Sequence, residues 1–549
     1  MIGSNQNPVR RRITMVRPFA AARPSGAFNF AFVSLALGTL AALAPSSTAH
    51  AQDRCAALKS VAITGLDVRV ASAEAVAAGP PNAPPAPGGG PPAYTGPLPA
   101  RCRVEGLIDP RKGVGGVDYA IRFALALPEG WNGRFLFQGG GGLNGAVQQP
   151  LGAVAAGERP ALARGFAVVT TDTGHQGAVF DAGFFADQQA TLDFLWVANG
   201  KVAVVAKALV AAYYGRAAEH SYFVGCSTGG REGMIMSQRY PAYFDGIVSG
   251  APATRTGYSN LGLRSVSVAL AKAAARDASG NVIAGSALSA GDKTLIVDSL
   301  LKTCDANDGV ADGMIFDPQG CRFDPAALVC KGAKNDGCLT SAQASAVRTA
   351  MSGPKASNGR QVYPGYFYDT GITFSGAGIP GVLNGAAPPV GPRAPATTQD
   401  VDAEAAEVAI AASTLGDSNV WTNLSSFSGH GGKLLFFHGV SDPWFSALDT
   451  VGYYRALGEA NGGEERVRDF SRLYLVPGMG HCAGGAATLD RFDLLSAVVA
   501  WVEGGKAPDS VVATGASFPG RSRPLCAYPQ HAQYKGKGNK EDAASFECR

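Results

Sequence analysis

No two of the ten cysteines stand in a CxxC pair, so the paired thiolates of a structural zinc site are missing. Charge is sparse: 16% of residues are Asp, Glu, Lys or Arg, and Lys+Arg (47) nearly cancel Asp+Glu (43). No basic stripe with interleaved aromatics occurs, which removes the electrostatic footprint of a nucleic-acid partner. No internal repeat is visible. Only one stretch, residues 28–44, reads as long and apolar enough to enter a bilayer. What the chain does have is bulk. It has 549 residues, 46% of them hydrophobic, enough for a large core.

The N-terminus reads as a targeting segment. Arg10, Arg11, Arg12, Arg17 and Arg23 precede the apolar run FNFAFVSLALGTLAALA, and Ala49-His50-Ala51 supplies small residues at cleavage positions. This predicts a signal peptide over 1–51, a mature chain from Gln52 and a secreted or periplasmic protein. An uncleaved anchor is the alternative. RRRIT loosely resembles a twin-arginine signal but lies far from the apolar run, and Met15 offers a second start. Export by either the general or the twin-arginine route changes how the cysteines read, because an even number in an oxidising compartment argues for disulfides.

Residues 79–100 are rich in Ala, Pro and Gly and form a loop or linker. Its flanks hold Cys55 and Cys102, and a bridge between them would tie down its ends. Strand patterns follow at 117–127, 133–139, 166–172, 221–225 and 246–250. Helical spacing marks 188–214 and the stretch after Thr228. From 253 to 428 the chain turns Gly- and Pro-rich, then strands resume at 433–439 and 473–478, with helices at 446–460 and 489–503. The alternation predicts an α/β core with a mostly parallel sheet covered on both faces. That core spans 52–252 and 429–549, interrupted by an inserted lid at 253–428.

GCSTGGREG, residues 225–233, fits G-x-S-x-G, follows a strand and opens a helix, the setting of a nucleophile elbow. Ser227 would stand on the sharp turn, with the Thr228 N–H at a helix N-terminus aimed at a developing oxyanion. An acid and then a histidine should follow on later strand ends. Asp442, in HGVSDPWFS, and His481, in VPGMGHCAGG, satisfy that order. Asp449, His438, His430 and His175 compete less well by position. Each of Ser227 and His481 has a cysteine neighbour, so a Cys226–Cys482 bridge would clip the two loops together. Cys226 as the nucleophile is the rival reading.

GCSTGGREGM, HGVSDPWFSALDT, VPGMGHCAGG, GRFLFQGGGGLNG and the tail RSRPLCAYPQHAQYKGKG resemble the tannase and feruloyl esterase family of α/β-hydrolases. The resemblance covers nearly the whole mature chain. It implies Ser227 as nucleophile, His481 as general base and acid, Asp442 as its orienting acid, and the N–H groups of Thr228 and Gly142 as oxyanion hole. It implies a structural Ca²⁺ in the inserted segment, held by the side chains of Asp305, Asp308 and Asp312 and the carbonyls of Val310 and Met314, with no organic cofactor. On their own, three aspartates among glycines read as surface turns before they read as a calcium site. The implied disulfides are Cys55–Cys102, Cys226–Cys482, Cys304–Cys321, Cys330–Cys338 and Cys526–Cys548.

One departure stands out. A lid arginine holds the free carboxylate in relatives that cleave a terephthalate monoester, and no arginine lies between Arg393 and Asp442. The expectation is an exported serine ester hydrolase for small aromatic acyl esters. Its alternatives are a terephthalate-monoester or general aryl esterase, a peptidase or acyltransferase of the same fold and, from another class, an inactive hydrolase-fold binding protein.

Overall fold

The computed structural model describes residues 47–81, 94–376, 378–385, 387, 396–411 and 418–549. Most of the expected signal peptide, the centre of the 79–100 linker and part of the second half of the insertion lie outside these residues. The first described element is a helix, α1 (Ser47–Ala56).

Nine strands form one sheet in the order β1-β2-β3-β5-β4-β6-β7-β8-β9. β1 (Val68–Val76), β2 (Arg101–Lys112) and β3 (Asp118–Pro128) are antiparallel, and β3 runs antiparallel to β5 (Ala167–Thr171). From there β4 (Arg134–Gln138), β6 (His220–Cys226), β7 (Gly246–Gly250), β8 (Lys433–Gly439) and β9 (Ser471–Val476) are all parallel. The parallel strands are buried on both faces and read as short apolar runs, which made them visible in the sequence. β1 and β2 are not continuous apolar runs: charges such as Arg69, Glu74, Arg103 and Glu105 on their outer face alternate with the residues turned inward.

The helix Gln188–Tyr214, α2, carries a π turn at Asp193–Val197 and is apolar and long enough by composition to cross a membrane. That corrects the expectation that only the N-terminal stretch would qualify. Here Val202, Val205, Ala206, Leu209 and Val210 are buried in the core beside Phe123, Leu125 and Val169 of the sheet. α3 (Thr228–Arg239) follows β6 directly.

Between β7 and β8 the described residues add no strand to the sheet. They hold α4 (Thr256–Ala271), α5 (Ala290–Cys304), α6 (Ser341–Ser352) and α7 (Val401–Ala411). Ile296, Leu300, Val347 and Ile372 give this segment an apolar cluster of its own. α8 (Ala447–Ala460) follows β8. The last helix, α9, spans Leu494–Gly504, shorter than the expected 489–503 at its start. Arg491 pairs with Thr514 in an extended bridge, and the Asp493 side chain caps the helix through Ser496 N–H. Two short hairpins, β10–β11 (Ser510–Thr514, Ser522–Cys526) and β12–β13 (Ala532–Tyr534, Phe546–Cys548), close the chain. All ten cysteines are paired, in the five pairs the family resemblance implied.

Candidate active site

Ser227 sits between β6 and α3 with φ 62° and ψ −122°. This backbone is strained for a residue with a side chain, and three glycines make it possible. A Cβ on Gly225 would lie 2.6 Å from Gly229 backbone, one on Gly229 2.7 Å from the Gly140 carbonyl oxygen, and one on Gly230 2.2 Å from that of Gly250. Hydrogen bonds hold the turn. Ser227 N–H donates to Gly250, and the Ser227 carbonyl accepts from Arg231 and Ala253, each at 3.0 Å.

Asp442 and His481 follow β8 and β9, so all three residues stand at the C-terminal ends of parallel strands, where open α/β sheets place their sites. His481 Nδ1 donates to Asp442 Oδ2 at 2.7 Å. Asp442 Oδ1 is held by the N–H groups of Trp444 (2.9 Å) and Phe445 (3.1 Å). Burial opposes charge on Asp442, yet His481 and His438 beside it outweigh that and hold its carboxyl well below the usual carboxylate range. With Nδ1–H committed, the neutral ring of His481 has an acceptor at Nε2, which is buried with no hydrogen-bond partner. The Cys226–Cys482 disulfide joins the residue before Ser227 to the residue after His481, with Cα atoms 5.9 Å apart.

The glycine run 139–142 follows β4, the neighbour of β6. Gly142 has φ 59°, and its carbonyl accepts the Thr228 hydroxyl. Among the described residues, neither the Gly142 nor the Thr228 N–H donates to a protein acceptor. Ser227, Thr228 and Gly142 line a cavity of about 410 Å³ whose other walls include Phe180, Phe185, Phe194, Trp444 and Phe445. A larger cavity of about 710 Å³ lies within the inserted segment, and none of Ser227, Asp442 and His481 lines it. The smaller one is the candidate site, because Ser227 lines it and Trp444 and Phe445, which hold Asp442, form part of its wall. Its two arginines are engaged: Arg255 pairs with Asp449 at 2.8 Å, and Arg231 donates to the carbonyls of Leu195 and Phe194.

The competing residues are occupied elsewhere. Asp449 serves Arg255. His430 is bonded to the Ser426 carbonyl on the surface. His175 is buried against Phe184, ring centroids 3.7 Å apart, and burial lowers its pKa to about 4. Cys226 is consumed in the disulfide, which leaves no thiol to act as nucleophile.

The loop 304–321 is closed by the Cys304–Cys321 disulfide. Asp305 accepts the N–H groups of Asp312 and Gly313, Asp308 accepts that of Val310, and Asp312 pairs with Arg523. No described group of three or more His, Cys, Asp and Glu converges as a metal cluster. Two buried carboxylate oxygens, Asp308 Oδ2 and Asp312 Oδ1, nevertheless have no partner, and among the described residues no donor reaches the carbonyls of Val310 and Met314. Hard oxygens left unpaired in one loop fit a Ca²⁺ ion.

Two buried acids were not singled out from sequence. Asp369, from the inserted segment, accepts the Ser441 hydroxyl and the Gly478 N–H, each at 2.7 Å. It thereby ties the Asp442 loop to the His481 loop. Glu232 lies beneath the glycine run. Asp369 has no motif, and Glu232, though inside GCSTGGREG, is not part of the G-x-S-x-G pattern; each is defined by partners far away in the chain.

A model of the family described as tannase and feruloyl esterase matches residues 102–391 and 392–549. The chain belongs to that family. It is therefore a carboxylic ester hydrolase. It is 39% identical over 518 residues to a mono(2-hydroxyethyl) terephthalate hydrolase of Piscinibacter sakaiensis, covering 82% of this chain and 85% of that protein. A probable feruloyl esterase B-2 of Neosartorya fischeri is 31% identical over 81% of this chain and 86% of its own. Among solved structures, feruloyl esterase B of Aspergillus oryzae superposes with TM-score 0.73 at 28% identity, covering 91% of this chain and all of that one. Tannin acyl hydrolase of Aspergillus niger, at TM-score 0.67, 22% identity and coverage of 90% and 94%, shares the fold. The α/β-hydrolase fold expected from the sequence is the one observed.

Proposed function

We propose that this family member is an exported serine esterase that cleaves aromatic acyl esters through an acyl-enzyme. The observation that carries the reading is the His481–Asp442 hydrogen bond beside a serine on a strained turn. In this reading His481 Nε2 takes the Ser227 proton as Oγ attacks the ester carbonyl. The negative oxygen of the tetrahedral intermediate is met by the N–H groups of Thr228 and Gly142. His481 returns the proton to the departing alcohol, and water repeats the sequence on the acyl-enzyme.

The phenylalanines and Trp444 around the cavity suit a planar aromatic acyl group. The inserted segment serves as its lid. Feruloyl and galloyl esters are the first candidates. A terephthalate monoester is the second reading, favoured by the 39% identical relative. Against it, the Arg255 guanidinium beside the cavity is already paired with Asp449. Asp305, Asp308 and Asp312, with the carbonyls of Val310 and Met314, would hold a Ca²⁺ ion that braces the loop and takes no part in the chemistry. Five disulfides accord with an oxidising compartment.

The test is hydrolysis of methyl ferulate, methyl gallate, the terephthalate monoester and p-nitrophenyl acetate by the chain from Gln52, beside Ser227→Ala. Serine-dependent turnover, highest on an uncharged aryl ester, is expected. Folded protein with calcium present and no turnover on any of the four would overturn the reading.

A further inference from the structure

α3 presents a second functional group five residues after the serine. Glu232 is fully buried, and burial raises its pKa above the ordinary carboxylate value. One carboxylate oxygen accepts the Gly140 N–H at 2.9 Å, and the other accepts Asn144 Nδ2 at 2.8 Å. The Gly140 carbonyl in turn accepts the Gly229 N–H, at 3.0 Å, from the first turn of the same helix. Both the N–H and the carbonyl of Gly140 are thus fixed by the helix that begins beside Ser227. Asn144, with φ 53°, closes the other side of the loop. The fit is close: a Cβ on Gly140 would lie 2.3 Å from the Asn144 amide, and one on Gly139 3.1 Å from Glu232 Oε2.

A buried carboxylate is expensive unless its oxygens are used, and here they are used on the loop 139–144 and on nothing in the triad. Gly142, whose N–H is assigned above to the oxyanion, lies between the two clamped residues. A glycine-rich loop has wide conformational freedom, so something must hold its amides in place before the intermediate forms.

We propose that Glu232 is the positioning residue of the oxyanion hole, setting the Gly142 N–H through Gly140 and Asn144. The proposal rests on the serine-esterase reading and concerns only its transition-state step. A merely structural role for Glu232 would lower stability and leave the turnover of folded protein unchanged. A positioning role lowers kcat and leaves KM nearly alone, because the oxyanion forms only after binding.

The experiment compares Glu232→Leu, Glu232→Gln, Asn144→Ala and Ser227→Ala on p-nitrophenyl acetate. Thermal melts accompany the kinetics, with inhibition by phenylboronic acid, which becomes tetrahedral on serine, as probe. Glu232→Leu is expected to lose about 100-fold in kcat, the scale of losing one oxyanion donor, with KM within about threefold and boronate affinity falling in parallel. Glu232→Gln should recover most of the rate. Its amide oxygen can still accept from Gly140, and a flipped Asn144 amide can accept from its nitrogen. If Glu232→Leu does not fold, Asn144→Ala decides, with an expected loss of about tenfold. Folded Glu232→Leu or Asn144→Ala with wild-type kcat and boronate affinity would overturn the proposal. Turnover surviving in Ser227→Ala would instead bring down the serine reading on which it stands.

Discussion

Asp442 Oδ2 is shared by two imidazoles: His481 Nδ1 at 2.7 Å and His438 Nε2 at 3.3 Å. The two histidines play different parts. His438 is fully buried, its Nε2–H donates to the Phe445 carbonyl, and its Nδ1 lies 2.9 Å from the Thr450 hydroxyl. Its nearer partners are Phe445 and Thr450, and the carboxylate is a longer third contact. Only His481 has a nitrogen left over. Asp442→Asn is therefore expected to reduce kcat by about 10³–10⁴-fold by removing the acceptor that fixes the His481 tautomer. His438→Gln should cost only about tenfold, the scale of one weakened charged hydrogen bond. Steady-state kinetics on one aryl ester tests both; equal losses would remove the distinction drawn here.

The clip between Cys226 and Cys482 makes a prediction about rate as well as stability. It closes a loop spanning 256 residues in sequence and holds the serine and histidine turns side by side. Replacing both cysteines by serine should lower stability by about 2–5 kcal/mol. It should also lower kcat in protein that is still folded, since Ser227 and His481 lose their covalent tie. A double variant with wild-type kcat below its melting temperature would show that packing alone sets the pair.

Asp369 connects the inserted segment to both loops of the acid–histidine pair. It takes the Ser441 hydroxyl and the Gly478 N–H on one oxygen, while Ser441 Oγ accepts the Gly371 N–H at 3.0 Å. Asp369→Ala leaves these donors buried and unpaired, a cost of about 2–4 kcal/mol. Urea denaturation would measure it, and a loss under 1 kcal/mol would mean that the loops find other partners.

His175 gives stability a pH dependence of known sign. Burial holds its folded pKa at about 4, against 6.5 when exposed. The unfolded chain then binds more protons than the folded one between those values. The stabilisation is present above pH 6.5 and is lost as pH falls towards 4, by up to about 3 kcal/mol. A His175→Gln variant, otherwise folded, should show a flatter fall in melting temperature over that window. An unchanged slope would place the acid sensitivity elsewhere.

The sequence alone determined what depends on neighbours in the chain. Short apolar strands, the helix after Ser227 and the glycines that permit its turn are local features, written in composition and spacing. Chain order then pointed to Asp442 and His481, and the adjacent cysteines pointed to the clip. Tertiary structure decided everything that rests on distant partners. β1 and β2 join the sheet because β2 pairs with β3 and β1 with β2, and that pairing overrides their charged sequences. α2, apolar enough for a membrane, is a core helix because a sheet face covers it. His438 and Asp449 carry the same chemistry as the residues chosen, and they differ only in that the fold satisfies them elsewhere. Asp369 and Glu232 are ordinary acids in sequence. Burial makes them consequential, because a carboxylate removed from water must spend its oxygens on whatever the fold brings near, here the loops around Ser227 and His481.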